Sequence, residues 1–441
     1  MAVIRTFLLL LSVLALQAQD PFGAAAAQAL RARAGLGHFR VLLLGDSHTA
    51  ARAFQAAWRS HLQAQFGDGG WGYGLPWGSA TAPRCGRSPG WVLHQPTLRN
   101  GSDGRSGPGG AYLEANRAGE QAWVESPFRR LRVHLLRQPG GGRVRLRVDG
   151  REAATADLDG PLEALCLAPE LPREGRRLEI LCEGGAVRIL GVALENGPGA
   201  ALGALGTIGA QASWLLRSEA PVFDAVLRRE APDLVVLAFG TNEASLGDFD
   251  PAAYRAKLQA LLQRVRAALP KAALLLLAPP DCHLPKGRPG ALATVTRIQE
   301  EEAKRSNGLC VSLRQAMGGE GTMQAWSQTG LGLRDRVHFS AEGYLRLARA
   351  ALGQLFAQME RARPALEGGE DPRIARTLAG AFELPSQAPR LLGRFEIAPV
   401  ESAPAPRPIY TFRTEDGRLF ITDDPEKVEG LRGAWVGRGP Q

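Results

Sequence analysis

The sequence predicts an α/β protein built on a doubly wound parallel sheet and interrupted by an all-β insert. Two observations carry this. Short apolar runs of strand length (Val41–Leu44, Leu234–Phe239, Ala272–Ala278, Leu309–Leu313) alternate with longer segments whose apolar residues recur at helical spacing. That rhythm stops near residue 67 and returns near residue 197. Between those points the chain is rich in Gly and Pro, with short runs of alternating character.

The elements follow in order. After Val41–Leu44, the residues Phe54, Trp58 and Leu62 mark one face of a helix. In the insert, Leu131–Leu136, Arg143–Val148 and Ala186–Leu194 read as strands, the first two joined by a hairpin at Pro139–Gly142. Arg143–Asp149 alternates charge with apolar residues, as a half-buried antiparallel strand does. Helices are then expected over about 210–229, from Pro251 behind an Asp250 cap, over 291–306 and over 341–362. The end of the chain has Tyr410–Arg413, Asp416-Gly417 and Arg418–Thr422, a hairpin signature.

At 441 residues, more than one domain is expected, and 45% hydrophobic with 22% charged residues excludes a disordered chain. The N-terminus reads as an export signal: Arg5, an apolar run over Thr6–Leu16, then Ala18 as cleavage point; an uncleaved anchor is the alternative. The expected location is periplasmic or extracellular, with no stable membrane span after cleavage. A net charge of +9 suits an anionic polymer. Export favours a cell-wall polysaccharide over nucleic acid as that partner. Of the five cysteines, Cys166 with Cys182 and Cys282 with Cys310 are the pairings proximity suggests. No Cys-x-x-Cys occurs and the seven histidines are scattered, so no structural zinc site is expected, and the serine chemistry described next needs no metal or organic cofactor.

Three segments carry chemistry. Gly45-Asp46-Ser47-His48 ends a buried-type strand in a turn that exposes a serine at a helix start. Gly240-Thr241-Asn242-Glu243 ends another, and Asp335 precedes His338 by one helical turn. A serine hydroxyl needs a base within hydrogen-bond reach. His338 is the candidate because Asp335 can fix its tautomer; His48 and His283 are the competitors. Ser47, Asn242 and Asp281 each follow a strand's carboxyl end, so one crevice should hold them.

These segments resemble the SGNH (GDSL-type) hydrolases, whose sheet is flavodoxin-like. Gly45–His48 matches the family's first block, Gly240–Glu243 the third and Asp335-x-x-His338 the fifth. Gly209, in Thr207-Ile208-Gly209-Ala210, best matches the second-block glycine. His48 replaces the usual leucine and Glu243 the usual aspartate. Both departures are similar to the peptidoglycan O-acetylesterases, which carry a carbohydrate-binding-like β-sandwich between blocks one and two. The resemblance implies Ser47 as nucleophile, His338 as base and Asp335 as its orienter. It further implies an oxyanion hole from Ser47, Gly209 and Asn242, and acetylated peptidoglycan as substrate. An esterase or acyltransferase for another polysaccharide, or a non-catalytic glycan-binding scaffold, stays open.

The expected organisation is a signal peptide over 1–18, the α/β domain over 36–66 and 197–362, and the insert over 67–196. A linker over 363–408 and a small β-module over 409–441 complete it. Trp71, Tyr73, Trp77, Trp91 and Trp123 in the insert are candidate sugar-stacking residues or sandwich core. Gly69–Gly74 reads as a loop near the site. Arg84, Arg87, Arg99 and Arg105 are candidate partners for substrate carboxylates, or solvated charges. Oligomeric state is not legible.

Overall fold

The computed structural model describes residues 20–96, 103–363 and 371–384, and the backbone of 409–414, 419–422 and 433–439. The expected signal segment lies outside them. Five parallel strands form the central sheet in the spatial order Gly199–Gly206, His38–Gly45, Leu234–Ala238, Ala273–Ala278, Leu309–Ser312. In chain order this is 2-1-3-4-5, a doubly wound sheet whose connections diverge between the first and third strands.

Alternation along each strand divides the apolar side chains between two faces. Phe39, Val41, Leu43, Val236 and Leu275 pack against the helices Pro21–Arg33, Arg52–Phe66 and Ala341–Ala362. Leu42, Leu44, Val235, Leu237 and Leu274 face Ala220–Glu230, Pro251–Ala268 and Ala291–Arg305. Asp250 caps its helix as expected, accepting the Ala252 N–H at 2.9 Å.

Two antiparallel sheets lie between the first and second parallel strands. One centres on Arg130–Arg137 and Val187–Glu195, the other on Gln121–Phe128 and Gly175–Gly184. They enclose a separate core that includes Trp91, Phe128, Leu146 and Ile189. The fold is therefore the expected doubly wound, flavodoxin-like α/β sheet with an inserted β module.

Several expectations need correction. The single helix over 210–229 is a 3-10 turn, Ala212–Arg217, followed by the helix Ala220–Glu230. Pro221 sits in the second helix's first turn, where its missing N–H cannot continue a hydrogen-bond ladder from the preceding turn. Gly69–Gly74 is no loop: Gly70–Gly74 pairs as a strand with Val187–Glu195. All five cysteines are free thiols. Cys166 and Cys182 sit on different sheets of the insert, and Cys310 lies opposite Leu276, well short of Cys282 along the strand direction.

Part of the segment expected as a linker is packed: Phe382 lies tilted against Phe66 and edge-on to Phe356, with ring centroids 5.9 and 6.4 Å away. The C-terminal residues form a separate unit from Leu391 onward. There Ile409–Thr414 pairs with Leu419–Thr422, the expected hairpin, and with a third strand, Gly433–Gly439.

Candidate active site

Ser47 opens the short helix Ser47–Ala50 directly beyond the first parallel strand. Asp46 caps that helix, its carboxylate accepting the His48 N–H at 2.9 Å, while its own N–H donates to Ala238 O at 3.2 Å. Gly45 is required by space: a Cβ there would stand 2.1 Å from Thr49 Oγ1 and 2.6 Å from Ala238 O. Burial pushes the Asp46 carboxyl up to about 8. Asp46 thus orders the turn through the backbone.

The partner of Ser47 is His338. Its Nε2 lies 2.9 Å from Ser47 Oγ and its Nδ1 lies 2.7 Å from Asp335 Oδ2. The other Asp335 oxygen accepts the N–H groups of Val337 and His338 at 2.9 and 3.0 Å. The carboxylate therefore shapes the turn and orients the ring together. A proton on Nδ1, directed at Asp335, leaves Nε2 as the acceptor facing Ser47. Against the opposing effect of partial burial, the His338 hydrogen bond and the two backbone amides hold Asp335 below its ordinary value.

Asn242 reaches the backbone just after Gly209. The Asn242 Nδ2 amide donates to Ala210 O at 2.8 Å, which uses one of its two N–H bonds. Glu243 accepts the Ala212 N–H at 2.8 Å. Adjacent residues thus grip the chain on the C-terminal side of Gly209, whose φ of +76° suits glycine. Burial pushes the Glu243 carboxyl up to about 7. A cleft of about 730 Å³ opens beside Gly209, walled by Ala50 and Ile208 from the parallel-sheet domain and by Leu75, Ser79 and Gln95 from the insert.

The competitors for the base lie elsewhere. His48 is buried and shares a 3.2 Å hydrogen bond with Tyr344 through Nδ1. Burial, reinforced by neighbouring His338, pushes it down to about 3, so it is neutral. Its ring packs 5.4 Å from that of His338 and supports it from behind. Tyr344 carried no sequence signal beyond its place on a helix's apolar face. His283 touches the Asp335–His338 turn through its backbone, donating to Arg336 O at 2.8 Å. Asp281 accepts the Met323 N–H at 2.9 Å and stands near Arg314, in a recess adjoining the turn.

Among the aromatic candidates, Trp71, Tyr73 and Trp91 are buried. Trp77 donates to Gly86 O at 2.9 Å, and Trp123 lies under Arg177 at 4.4 Å. Arg84 pairs with Glu125 and Arg105 with Glu219. Arg99 lies outside the described residues. No group of three or more His, Cys, Asp or Glu able to hold a metal occurs among the described residues. No helix among them is long and apolar enough to cross a membrane.

Residues 174–346 match the model of the GDSL-like Lipase/Acylhydrolase family. The chain therefore carries a domain of that family. It is 28% identical to a solved peptidoglycan O-acetylesterase, with a TM-score of 0.65 over 79% of this chain and 98% of that one. The α/β part of the chain thus resembles the SGNH hydrolases, and the chain resembles a peptidoglycan O-acetylesterase. More distant similarity extends to a family two carbohydrate esterase from Cellvibrio japonicus (15% identity, TM-score 0.28, 63% and 98% covered). Another is a family two carbohydrate esterase from Clostridium thermocellum (13%, TM-score 0.30, 61% and 99%). No curated protein matches the chain.

Proposed function

We propose that this protein is an exported serine esterase that hydrolyses O-acetyl esters on peptidoglycan. One observation carries the reading: Ser47 Oγ, the His338 ring and the Asp335 carboxylate stand in line at 2.9 and 2.7 Å. The likeness to a peptidoglycan O-acetylesterase supports the substrate.

In the first step Ser47 Oγ attacks the acetyl carbonyl and its proton passes to His338 Nε2. Asp335, held ionised, stabilises the imidazolium and keeps its proton on Nδ1. The oxyanion is received by the N–H groups of Ser47 and Gly209 and the second N–H of Asn242. Each such donor is worth on the order of 3 kcal/mol in the transition state. Collapse expels the sugar oxygen, which takes the proton from His338. Water, deprotonated by the same ring, then attacks the acetyl-serine and acetate leaves. Every bond change is served by side chains, backbone amides and water.

In this reading residues 1–18 direct export to the periplasm or beyond. Residues 67–196 act as a carbohydrate-binding-like insert, 363–408 link, and 409–441 form an appended β-module. The test is acetate release by wild type and Ser47→Ala from O-acetylated peptidoglycan, acetylxylan and an aryl acetate. Release from peptidoglycan that is lost in the variant is expected. Turnover of the aryl ester alone would remove the assigned polymer. Near-normal release by Ser47→Ala would remove the mechanism.

A further inference from the structure

A second recess, of about 410 Å³, opens against the catalytic turn. Its walls include Cys282, His283, Arg288, Arg314, Glu320 and Arg336. Arg336 follows Asp335 in the chain and lies two residues from His338, so their Cα atoms are within about 7 Å. The His283 N–H bonded to Arg336 O fastens the recess wall to that turn. Cys282 is buried in the same wall, close enough for Asp281, Asp46 and Asp335 to act on its thiol.

The charges in this recess do not cancel. Arg314 is engaged by Glu320 at 2.7 Å and by Asp281 at 3.4 Å. The carboxylate of Asp281 also accepts the Met323 N–H. These are the two carboxylates lining the recess, and both serve Arg314. Arg288 donates from Nε to Gly247 O at 2.9 Å and pairs with no carboxylate among the described residues. The Arg336 guanidinium likewise has no hydrogen-bond or ion-pair partner among them.

The helix Ala291–Arg305 begins at the recess behind Gly290, with no side-chain cap, and its first-turn residues Leu292 and Ala293 line the wall. Its N-terminal end adds a further partial positive charge to the two guanidinium groups. A planar carboxylate matches the fork geometry of arginine donors.

We propose that this recess is a subsite for a carboxylate carried by the same polymer whose ester is cleaved at Ser47. The proposal rests on the esterase reading and narrows it: the substrate is an acidic glycan, and its acid group is read beside His338. A carboxylated substituent on the acetylated sugar or its neighbour can span the two positions. Neutral acetylated polysaccharides leave the subsite empty.

The test compares kcat/KM on O-acetylated peptidoglycan fragments with their carboxylates intact and on the same fragments with carboxylates amidated. Wild type should prefer the acidic form. Arg336→Gln and, separately, Arg288→Gln should each cut that preference about tenfold, through KM, the size of one lost charge-assisted hydrogen bond. Raising ionic strength should narrow the wild-type preference. An equal rate on both forms, or a preference untouched in both variants, overturns the subsite. Should wild type cleave an aryl acetate but neither fragment, the polymer assignment fails separately. The subsite is then read by inhibition: de-O-acetylated acidic fragments should inhibit aryl acetate turnover, and Arg336→Gln should relieve it. Equal inhibition of wild type and variant would overturn it there too.

Discussion

The carboxylate of Glu243 accepts the Ala212 backbone N–H at 2.8 Å, two residues after Asn242 Nδ2 has bonded Ala210 O at the same distance. The two side chains are consecutive, so one turn at the end of a parallel strand sets the path of the Gly209 loop. Glu243→Ala releases half of this clamp without removing any donor of the proposed oxyanion hole. It should lower kcat about 10- to 100-fold while KM changes little, since small misplacements of catalytic donors cost that much. Glu243→Gln keeps an acceptor oxygen and should restore most of the rate. Steady-state kinetics on an aryl acetate reads this, and full kcat in Glu243→Ala would remove the clamp.

Burial of the same group makes folding stability depend on pH. Glu243 is pushed up to about 7, above its value in the unfolded chain, so the folded state holds its proton more tightly. Its effect on stability is absent at low pH. It becomes an increasing penalty as pH rises through the ordinary carboxylate range, and levels off above about 7. The full swing is on the order of 3 kcal/mol. Relative to Glu243→Gln, wild type should therefore lose stability between pH 4.5 and 8 in denaturant titrations. A constant difference between the two proteins would contradict this.

A buried ion network ties the insert to the hydrolase sheet. Arg132 bridges Glu195 at 2.7 Å and Glu230 at 2.8 Å, and Arg40 from the first parallel strand also reaches Glu195. Replacing Arg132 by Met leaves two buried carboxylates short of a partner. Stability should fall by about 3–5 kcal/mol in urea unfolding. A loss below 1 kcal/mol would mean that Arg40 and His134 compensate.

The turn that carries Ser47 was legible because strand-end motifs are local. Val41–Leu44 announces a buried strand, and the serine must then sit where that strand stops. Ala341–Ala362 was legible to the residue, since Ser340 caps it and its apolar face repeats. The parallel strand Gly199–Gly206 was not, because it contains no β-branched or aromatic residue. Its composition follows from close approach: a Cβ on Gly206 would meet Ala50 N at 2.1 Å, and one on Gly203 would meet Tyr73 O at 2.5 Å. Packing against the serine's own helix removed the side chains that would have marked it. The grip of Asn242 and Glu243 on the 210–212 segment was equally hidden, since it joins residues that only the fold brings together.

The thiol inventory separates this structure from the pairing that sequence proximity suggests. Denatured but unreduced protein should show all five cysteines reactive toward a thiol reagent. Finding only one reactive cysteine would mean that two disulfides form and that local rearrangement has occurred around Cys166 and Cys310.

In the proposed mechanism the Ser47 hydroxyl is activated by the imidazole 2.9 Å away. The most direct test of that activation is peptide mapping after brief exposure to a fluorophosphonate, for wild type and for His338→Ala. A single adduct on Ser47 in wild type, formed at least about 100-fold more slowly in His338→Ala, is the predicted result. Labelling at another serine, or equal labelling of Ser47 in both proteins, would contradict it.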